Sequence, residues 1–271
     1  MATTPRTALI TGASSGIGRA MARWWAARGA TVYAAARRAS LLDELAAEPA
    51  GDGGGRIVPV TLDVADEARA VAAIQALDDQ CGGLDLVIAN AGVGDPTPAQ
   101  LATWEAVERV LRVNVMGAAA TITAVLPRMV ARGRGHVVGV SSVASYAGLG
   151  AYSSYCGSKA FLSIFLQSLQ VDLRGTPVRV TCIEPGFVRS EMQAKLEGRA
   201  PMPFVAPTEQ AADVFGRAIV RGTRRLAWPT VHAVPARAMA WVPAFAYEPI
   251  AQRLSQPQVA MAEEALARSK P

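Results

Sequence analysis

Residues 11–18 read TGASSGIG, and no other stretch constrains the fold as much. The apolar run Thr7–Ile10 precedes it, and a helical pattern through Arg28 follows. Gly12, Gly16 and Gly18 therefore sit at a strand-to-helix turn. Glycine at such a turn lets backbone approach a pyrophosphate, while the free N–H groups and positive dipole end of the helix attract anions. A glycine trio alone is a weak signal; its place after a strand and before a helix gives it force. Ser14, Ser15 and Ile17 complete the turn that a dinucleotide would contact.

The alternation continues along the chain. Thr31–Ala36, Arg56–Leu62, Leu84–Ala89, His136–Val140 and Val178–Ile183 read as strands two to six. Ser40–Ala47, Asp66–Gln80, Trp104–Arg112, Asn114–Arg132, Tyr155–Arg174 and Glu209–Arg221 read as helices, with Pro127 as a kink and Thr208 as the last N-cap. The pattern predicts an α/β fold: a Rossmann-type, doubly wound parallel sheet with helices on both faces. At 271 residues, 51% hydrophobic and 18% charged, the chain suits one large, well-buried domain and not a disordered one. We place a dinucleotide-binding catalytic domain at 1–228, with a substrate loop at about 187–207, and a C-terminal extension at 229–271. No apolar leader opens the chain, no run of 18 or more apolar residues occurs, and three cysteines lack Cys-x-x-Cys spacing. A cytoplasmic protein with reduced thiols is the expectation.

Ligands of such sheets bind beyond the carboxyl ends of the strands, where the remaining motifs fall. Tyr155 and Lys159, four apart, share one face of a helix. A phenol titrates near ~10, and a neighbouring ammonium is expected to lower that value, giving a general acid/base. Ser142, just after strand five, offers a hydroxyl to the same substrate oxygen. With 5 Tyr and 3 Lys in the chain, chance supplies such a pair ~0.06 times. The alternative is a surface lysine beside a half-buried tyrosine. Arginine supplies 24 of the 27 basic residues, so an ordinary solvated cation here is arginine.

TGASSGIG, Leu62-Asp63-Val64, Asn90-Ala91-Gly92, Asn114, Ser142, YCGSK at 155–159 and EPGFVRS at 184–190 follow one another in the order and spacing of a known family. Over about residues 5–225 the chain resembles the short-chain dehydrogenase/reductase family. The resemblance implies that Tyr155 gives a proton to a carbonyl in reduction, or takes one in oxidation. It implies that Lys159 lowers the phenol pKa and binds the nicotinamide ribose, and that Ser142 positions the substrate oxygen. Asn114 would hold a water linking Lys159 to solvent. Asp63 and Val64 would face the adenine, and Asn90, Ala91 and Gly92 the adenosine. Pro185, Gly186 and Val188 would contact the nicotinamide, with Ser190 where the family usually has Thr. Taken singly, Asn114 also reads as a helix cap and Asp63 as a turn former. His136 and Cys182 read as structural and Cys156 as a space-filler. No metal is expected.

Folds of this kind that prefer NAD place an acid at the end of strand two. Here Ala36 stands there, followed by Arg37 and Arg38, which suit a 2′-phosphate. NADP(H) is the expected cofactor. Phe187, Met192, Leu196, Met202, Phe204 and Val205, with Tyr146, Leu149 and Tyr152, predict an apolar pocket and hence a hydrophobic ketone or aldehyde. A 3-oxoacyl thioester is the alternative substrate, and a non-catalytic NADP(H)-binding sensor the alternative function. A nucleic-acid role lacks a recognised module.

Residues 217–271 carry the whole net charge of +5. Pro229, Pro235, Pro243 and Pro249 argue against long helices there. Trp228, Met239, Trp241, Val242, Phe245 and Tyr247 predict an apolar cover, packed on the subunit's own substrate loop or a second subunit, with peripheral membrane contact as the alternative. The helix at 155–174, with Phe161, Phe165 and Leu169 on one stripe, is read as core or as the interface of a homo-oligomer.

Overall fold

The computed structural model describes residues 5–49, 51, 53–94, 96–191 and 204–269. Seven strands form one parallel sheet in the order β3-β2-β1-β4-β5-β6-β7. They are β1 Thr7–Thr11, β2 Thr31–Ala36, β3 Arg56–Thr61, β4 Leu86–Ala89, β5 His136–Val140, β6 Arg179–Pro185 and β7 Arg225–Trp228. The strand order runs outward in both directions from β1 and β4, so a crevice opens at their carboxyl ends.

The helices are α1 Gly16–Ala26, α2 Ala39–Ala47, α3 Glu67–Gln80, α4 Trp104–Leu111, α5 Ala118–Thr123, α6 Leu126–Ala131, α7 Ser153–Asp172, α8 Thr208–Val220, α9 Thr230–Met239 and α10 Ala244–Ser269. Two apolar clusters cover the two faces of the sheet. One joins Ile10, Met21, Trp25 and Phe215, using α1 and α8. The other joins Leu9, Ile74, Ile122 and Leu166, using α3, α5 and α7. The doubly wound reading of the sequence is what the chain adopts.

Several local expectations need correction. The seventh strand has only four residues and opens on an arginine, so no alternation announced it; β6 supplies the partner, pairing Glu184 with Ala227. Trp228 therefore ends a strand and meets Phe215 edge-on at 5.8 Å, instead of joining the cover. The prolines do not exclude helices from the extension. Pro229 is the N-cap of α9 and Pro243 directly precedes α10, places where a missing N–H costs nothing. Pro235, Pro249 and Pro257 lie inside helices, and burial of Ala233, Ala251 and Ser255 offsets the lost bonds.

The helix expected over Asn114–Arg132 begins in a π-turn, Arg112–Gly117, and breaks at Ala124 and Val125, with Pro127 in the first turn of α6. The stretch Trp104–Ala131 is long and apolar enough to cross a bilayer by length and composition, but 61% of its most apolar 18-residue window is buried in the protein, which makes it core. Thr208 does not cap α8: Pro207 is the N-cap, and the Thr208 hydroxyl donates to Arg189 O at 3.0 Å.

Candidate active site

The glycine turn is built for close approach. Gly12 and Gly16 have φ of 68° and 53°, conformations that glycine adopts without strain. A side chain at Gly12 would start 2.8 Å from Ala91 Cα, and one at Gly18 would start 2.4 Å from Gly12 O. Asn90 staples this turn to β4: its Nδ2 donates to Thr11 O at 2.8 Å and to Gly12 O at 3.3 Å. Thr11 Oγ1 accepts from the N–H groups of Asn90 and Ala91 at 3.1 Å each. The first turn of α1 carries no acidic side chain, so the dipole end stays available to an anion.

Of the two arginines after β2, Arg38 reaches the turn. Its Nη2 donates to Ser14 Oγ at 3.0 Å and Ser15 Oγ at 2.9 Å, and its Nη1 donates to the Glu191 carboxylate at 2.9 Å. Arg37 points elsewhere, 66% exposed and 4.0 Å from Asp63. Asp63 also accepts from Ala65 N at 3.0 Å, a local turn contact. Val64 packs on the π-turn, where a side chain at Gly117 would begin 2.7 Å from Val64 O. A glycine cradle, an uncapped helix end and a guanidinium fixed beside them fit the pyrophosphate and an adjacent anionic group of a dinucleotide.

The second set lies at the ends of β5 and β6. Lys159 is 4% exposed, and its Nζ donates to Val140 O at 2.9 Å and lies 5.8 Å from the Tyr155 ring centroid. Burial pulls its ammonium down to about 8. The depression expected for Tyr155 is absent in the free chain. Burial pushes the phenol up, and a side-chain hydrogen bond with Ser142 opposes that rise. Lys159 does not enter that balance: its Nζ donates to Val140 O and stands 5.8 Å from the ring centroid. Ser142 Oγ donates to Pro185 O at 3.4 Å and accepts from Ala144 N at 3.1 Å.

Asn114, in the π-turn, accepts from Val93 N at 2.8 Å and donates to Val93 O at 2.8 Å and Ser158 Oγ at 3.0 Å. The spot where a Gly92 side chain would begin lies 3.3 Å from Lys159 Nζ and 3.4 Å from Asn114 Oδ1. Cys156 is buried and the thiol is pushed up by burial, as a space-filler should be.

Val188 closes the base of the 187–207 segment through a parallel bridge to Ala206. Ser190 meets the glycine turn: a side chain at Gly16 would start 3.3 Å from Ser190 Cβ. Met192, Leu196 and Met202 lie outside the described residues. Phe204 is 74% exposed, whereas Phe187 packs edge-on against His232 at 4.9 Å. Tyr146 does not offer its hydroxyl to the pocket; it bonds Glu184 and Arg237.

Gly94 and His232 escaped the sequence reading, and Glu184, though it opens EPGFVRS, and Arg237 make contacts that the reading did not give them. Gly94 backs onto the acid/base, since a side chain there would begin 2.6 Å from Tyr155 Cδ2. His232 Nδ1 accepts from Phe187 N at 3.2 Å and crowds Gly186. Glu184 and Arg237 bracket Tyr146. The glycine after Asn90-Ala91-Gly92-Val93 was a readable signal. The contacts of His232 and Arg237 were not, because they depend on how α9 folds back.

A glycine-turn cradle and a Ser–Tyr–Lys group at the carboxyl edge of one doubly wound sheet define a dinucleotide-dependent oxidoreductase. Residues 6–200 match the family model for short chain dehydrogenases, and the chain belongs to that family. An "uncharacterized oxidoreductase" of Myxococcus xanthus is 51% identical over 249 residues, which span 92% of this chain and 97% of that one. A short-chain dehydrogenase of Sphingobium yanoikuyae solved with NADPH superposes with a TM-score of 0.76 at 26% identity, covering 88% of this chain and 96% of that one. A Burkholderia phymatum member solved with NAD shares the fold with a TM-score of 0.78 at 23% identity, covering 88% and 93%.

Proposed function

We propose that this oxidoreductase uses NADPH to reduce a hydrophobic ketone or aldehyde to the alcohol, reversibly. The observation that carries the reading is the meeting of Ser142, Tyr155 and Lys159 below the carboxyl end of β5. NADPH, when bound, supplies the hydride to the carbonyl carbon. Tyr155 gives its proton to the carbonyl oxygen, and Ser142 hydrogen-bonds that oxygen and so orients it. Lys159, with one of its three N–H bonds on Val140 O, would hold the ribose with another and lies beside the spot at Gly92. A water at that spot would be within reach of Asn114 Oδ1 and Lys159 Nζ and would return the proton to the site.

The glycine turn with Ser14, Ser15 and Ile17, and Asp63, Val64, Asn90, Ala91 and Gly92 beyond it, hold the adenosine diphosphate end. Pro185, Gly186, Val188 and Ser190 hold the nicotinamide end. Arg38 supports the NADP(H) preference because its guanidinium is fixed against Ser14 and Ser15 and would pair with a 2′-phosphate in place of Glu191. Ala36, 8% exposed, brings no charge that would repel it. In this reading residues 1–228 are the catalytic domain, and 229–271 an extension whose α9 reaches the site. A 3-oxoacyl thioester stays the second substrate class, supported by the basic extension. The intact Ser142–Tyr155–Lys159 group argues against a non-catalytic sensor.

A homo-oligomer is supported by the apolar face shared by α4 and α7, where Trp104 is 65% exposed, Ile164 61% and Val171 65%. Three free cysteines support a cytoplasmic setting. Trp241 and Phe245, 89% and 83% exposed, support peripheral contact with an anionic membrane. Cofactor oxidation measured with NADPH and NADH over a panel of aromatic and aliphatic ketones, aldehydes and a 3-oxoacyl thioester tests the assignment. Turnover of apolar carbonyls with NADPH, lost in Tyr155→Phe, is expected. Tight NADPH binding without turnover of any carbonyl would overturn it in favour of the sensor.

A further inference from the structure

Glu184 stands one residue from the end of β6 and has no solvent exposure. A buried carboxylate must be neutralised and hydrogen-bonded. One arginine fork would suffice, and Arg225 of β7 provides it, donating from Nη2 to Oε1 at 2.6 Å and from Nε to Oε2 at 2.9 Å. Three hydroxyls converge as well. Tyr146 donates to Oε2, Ser163 donates to Oε1 at 3.0 Å, and Ser145 donates to Oε1 at 3.4 Å.

Each hydroxyl leads to the reacting group. Ser145 and Tyr146 belong to the short turn whose cap is Ser142: Ala144 N donates to Ser142 Oγ, and Ser145 N to Ser142 O at 3.0 Å. Ser163 Oγ lies 2.8 Å from Ser141 Oγ, which in turn donates to Lys159 O at 2.8 Å. The carboxylate thus grips both the turn that carries the serine and the helix that carries the lysine. Tyr146 is also held from outside. Arg237 of α9 donates from Nε to the phenol oxygen at 2.8 Å. The two guanidinium carbons stand 5.1 and 5.4 Å from the ring centroid, within cation–π range.

We propose that Glu184 is the positioning residue for Ser142 and Lys159, and that the C-terminal extension completes its cluster through Arg237 on Tyr146. The extension then governs the rate of the chemical step as well as covering the pocket. This rests on the reading of Ser142, Tyr155 and Lys159 as the reacting group. A merely structural pair would hold β6 to β7 and leave the acid/base untouched. A positioning cluster changes how well Ser142 addresses Tyr155, and preorganisation of that kind is what misplacement by a fraction of an ångström degrades.

The test compares Glu184→Gln, Tyr146→Phe and Arg237→Ala in the full chain, with Arg253→Ala, exposed on α10, as control. NADPH affinity, read by cofactor fluorescence, should stay unchanged in all four. With an apolar ketone, kcat should fall about 10- to 100-fold in the first three. The isotope effect from NADPH deuterated at the transferred position should rise, because the chemical step becomes slower than product release. The control should match the parent. A second readout needs no turnover. Tyr155 ionisation, taken as the ultraviolet difference between each protein and its Tyr155→Phe counterpart, should move to higher pH as the Ser142 hydrogen bond loosens. Should Glu184→Gln fail to fold, Arg237→Ala and Tyr146→Phe, at the rim, carry the same comparison. Unchanged ionisation in Arg237→Ala and Tyr146→Phe would overturn the proposal. So would lost turnover that only tracks a loss of NADPH-binding sites. If the parent protein reduces no carbonyl, the assigned reaction fails, and the ionisation shift alone decides the role of Glu184.

Discussion

Lys159 sits almost wholly inside the protein, its ammonium pulled down to about 8 from 10.5 by burial. The unfolded chain therefore binds more protons between those values, so stability rises with pH across that window and the full penalty is present below it. Lys159→Met should abolish turnover yet raise stability near neutral pH by on the order of 1–3 kcal/mol. The gain should shrink as pH approaches about 10, as urea unfolding at several pH values will show. Tyr155→Phe should keep the fold and NADPH affinity and lose turnover by ~10²–10⁴-fold, read by steady-state kinetics. Arg38→Ala should weaken NADPH binding by roughly 10-fold or more, since a charge-assisted contact contributes roughly 1.5–3 kcal/mol, and leave NADH binding nearly unchanged. Equal losses for the two cofactors in titration would remove the 2′-phosphate assignment. At this scale the sequence favours Arg37 for the 2′-phosphate, whereas the structure sets Arg38 at the turn and Arg37 away from it. Neighbours in sequence leave a strand end in different directions, and only the position of Ser14 and Ser15 decides between them.

Among the elements, β5 carries a built-in acid sensitivity. His136 is 3% exposed, and its Nε2 lies 2.8 Å from Thr181 Oγ1, whose own hydrogen goes to Thr223 O at 2.6 Å. The histidine must therefore donate, and stays neutral, its pKa lowered to about 3 by burial. The unfolded chain takes that proton near ~6.5, so stability is complete above that value and is lost as pH falls toward 3. Between about pH 7 and 4.5 the loss should reach roughly 2 kcal/mol, and His136→Val should lose less over the same interval in urea titrations. The alternation of strands and helices was legible because a parallel sheet buries both faces and leaves apolar runs. Strand β7 and helices α9 and α10 were not. A four-residue strand has no period to read, and prolines at helix starts look the same in sequence as prolines that forbid helices.

For the molecule as a whole, the apolar face of α4 and α7 should make it an oligomer in solution. Ile164→Glu, on a residue 61% exposed, should yield smaller particles in light scattering, because an unpaired charge in an apolar interface is costly. Unchanged mass would place the interface elsewhere. The extension's apolar content was readable from its composition, but its use was not. Part of it folds onto the rest of the chain, with a side chain at Gly148 beginning 3.9 Å from Tyr247 Oη and one at Gly150 meeting Ser255 Oγ, while Trp241 and Phe245 stay outside. One further feature bears on how such a molecule changes over generations. The bridge between Val188 and Ala206 consists of hydrogen bonds from Arg189 N to Ala206 O at 2.9 Å and from Ala206 N to Phe187 O at 3.0 Å. The intervening stretch therefore leaves and re-enters the scaffold at one fixed doorway. Ser190 and Glu191, just inside that doorway, touch the glycine turn and Arg38, so only changes that spare them need not disturb the turn or the reacting group. Under the proposed function, descendants of this chain would acquire new substrates by changing the stretch beyond Glu191, while the residues proposed to handle hydride and proton are inherited intact.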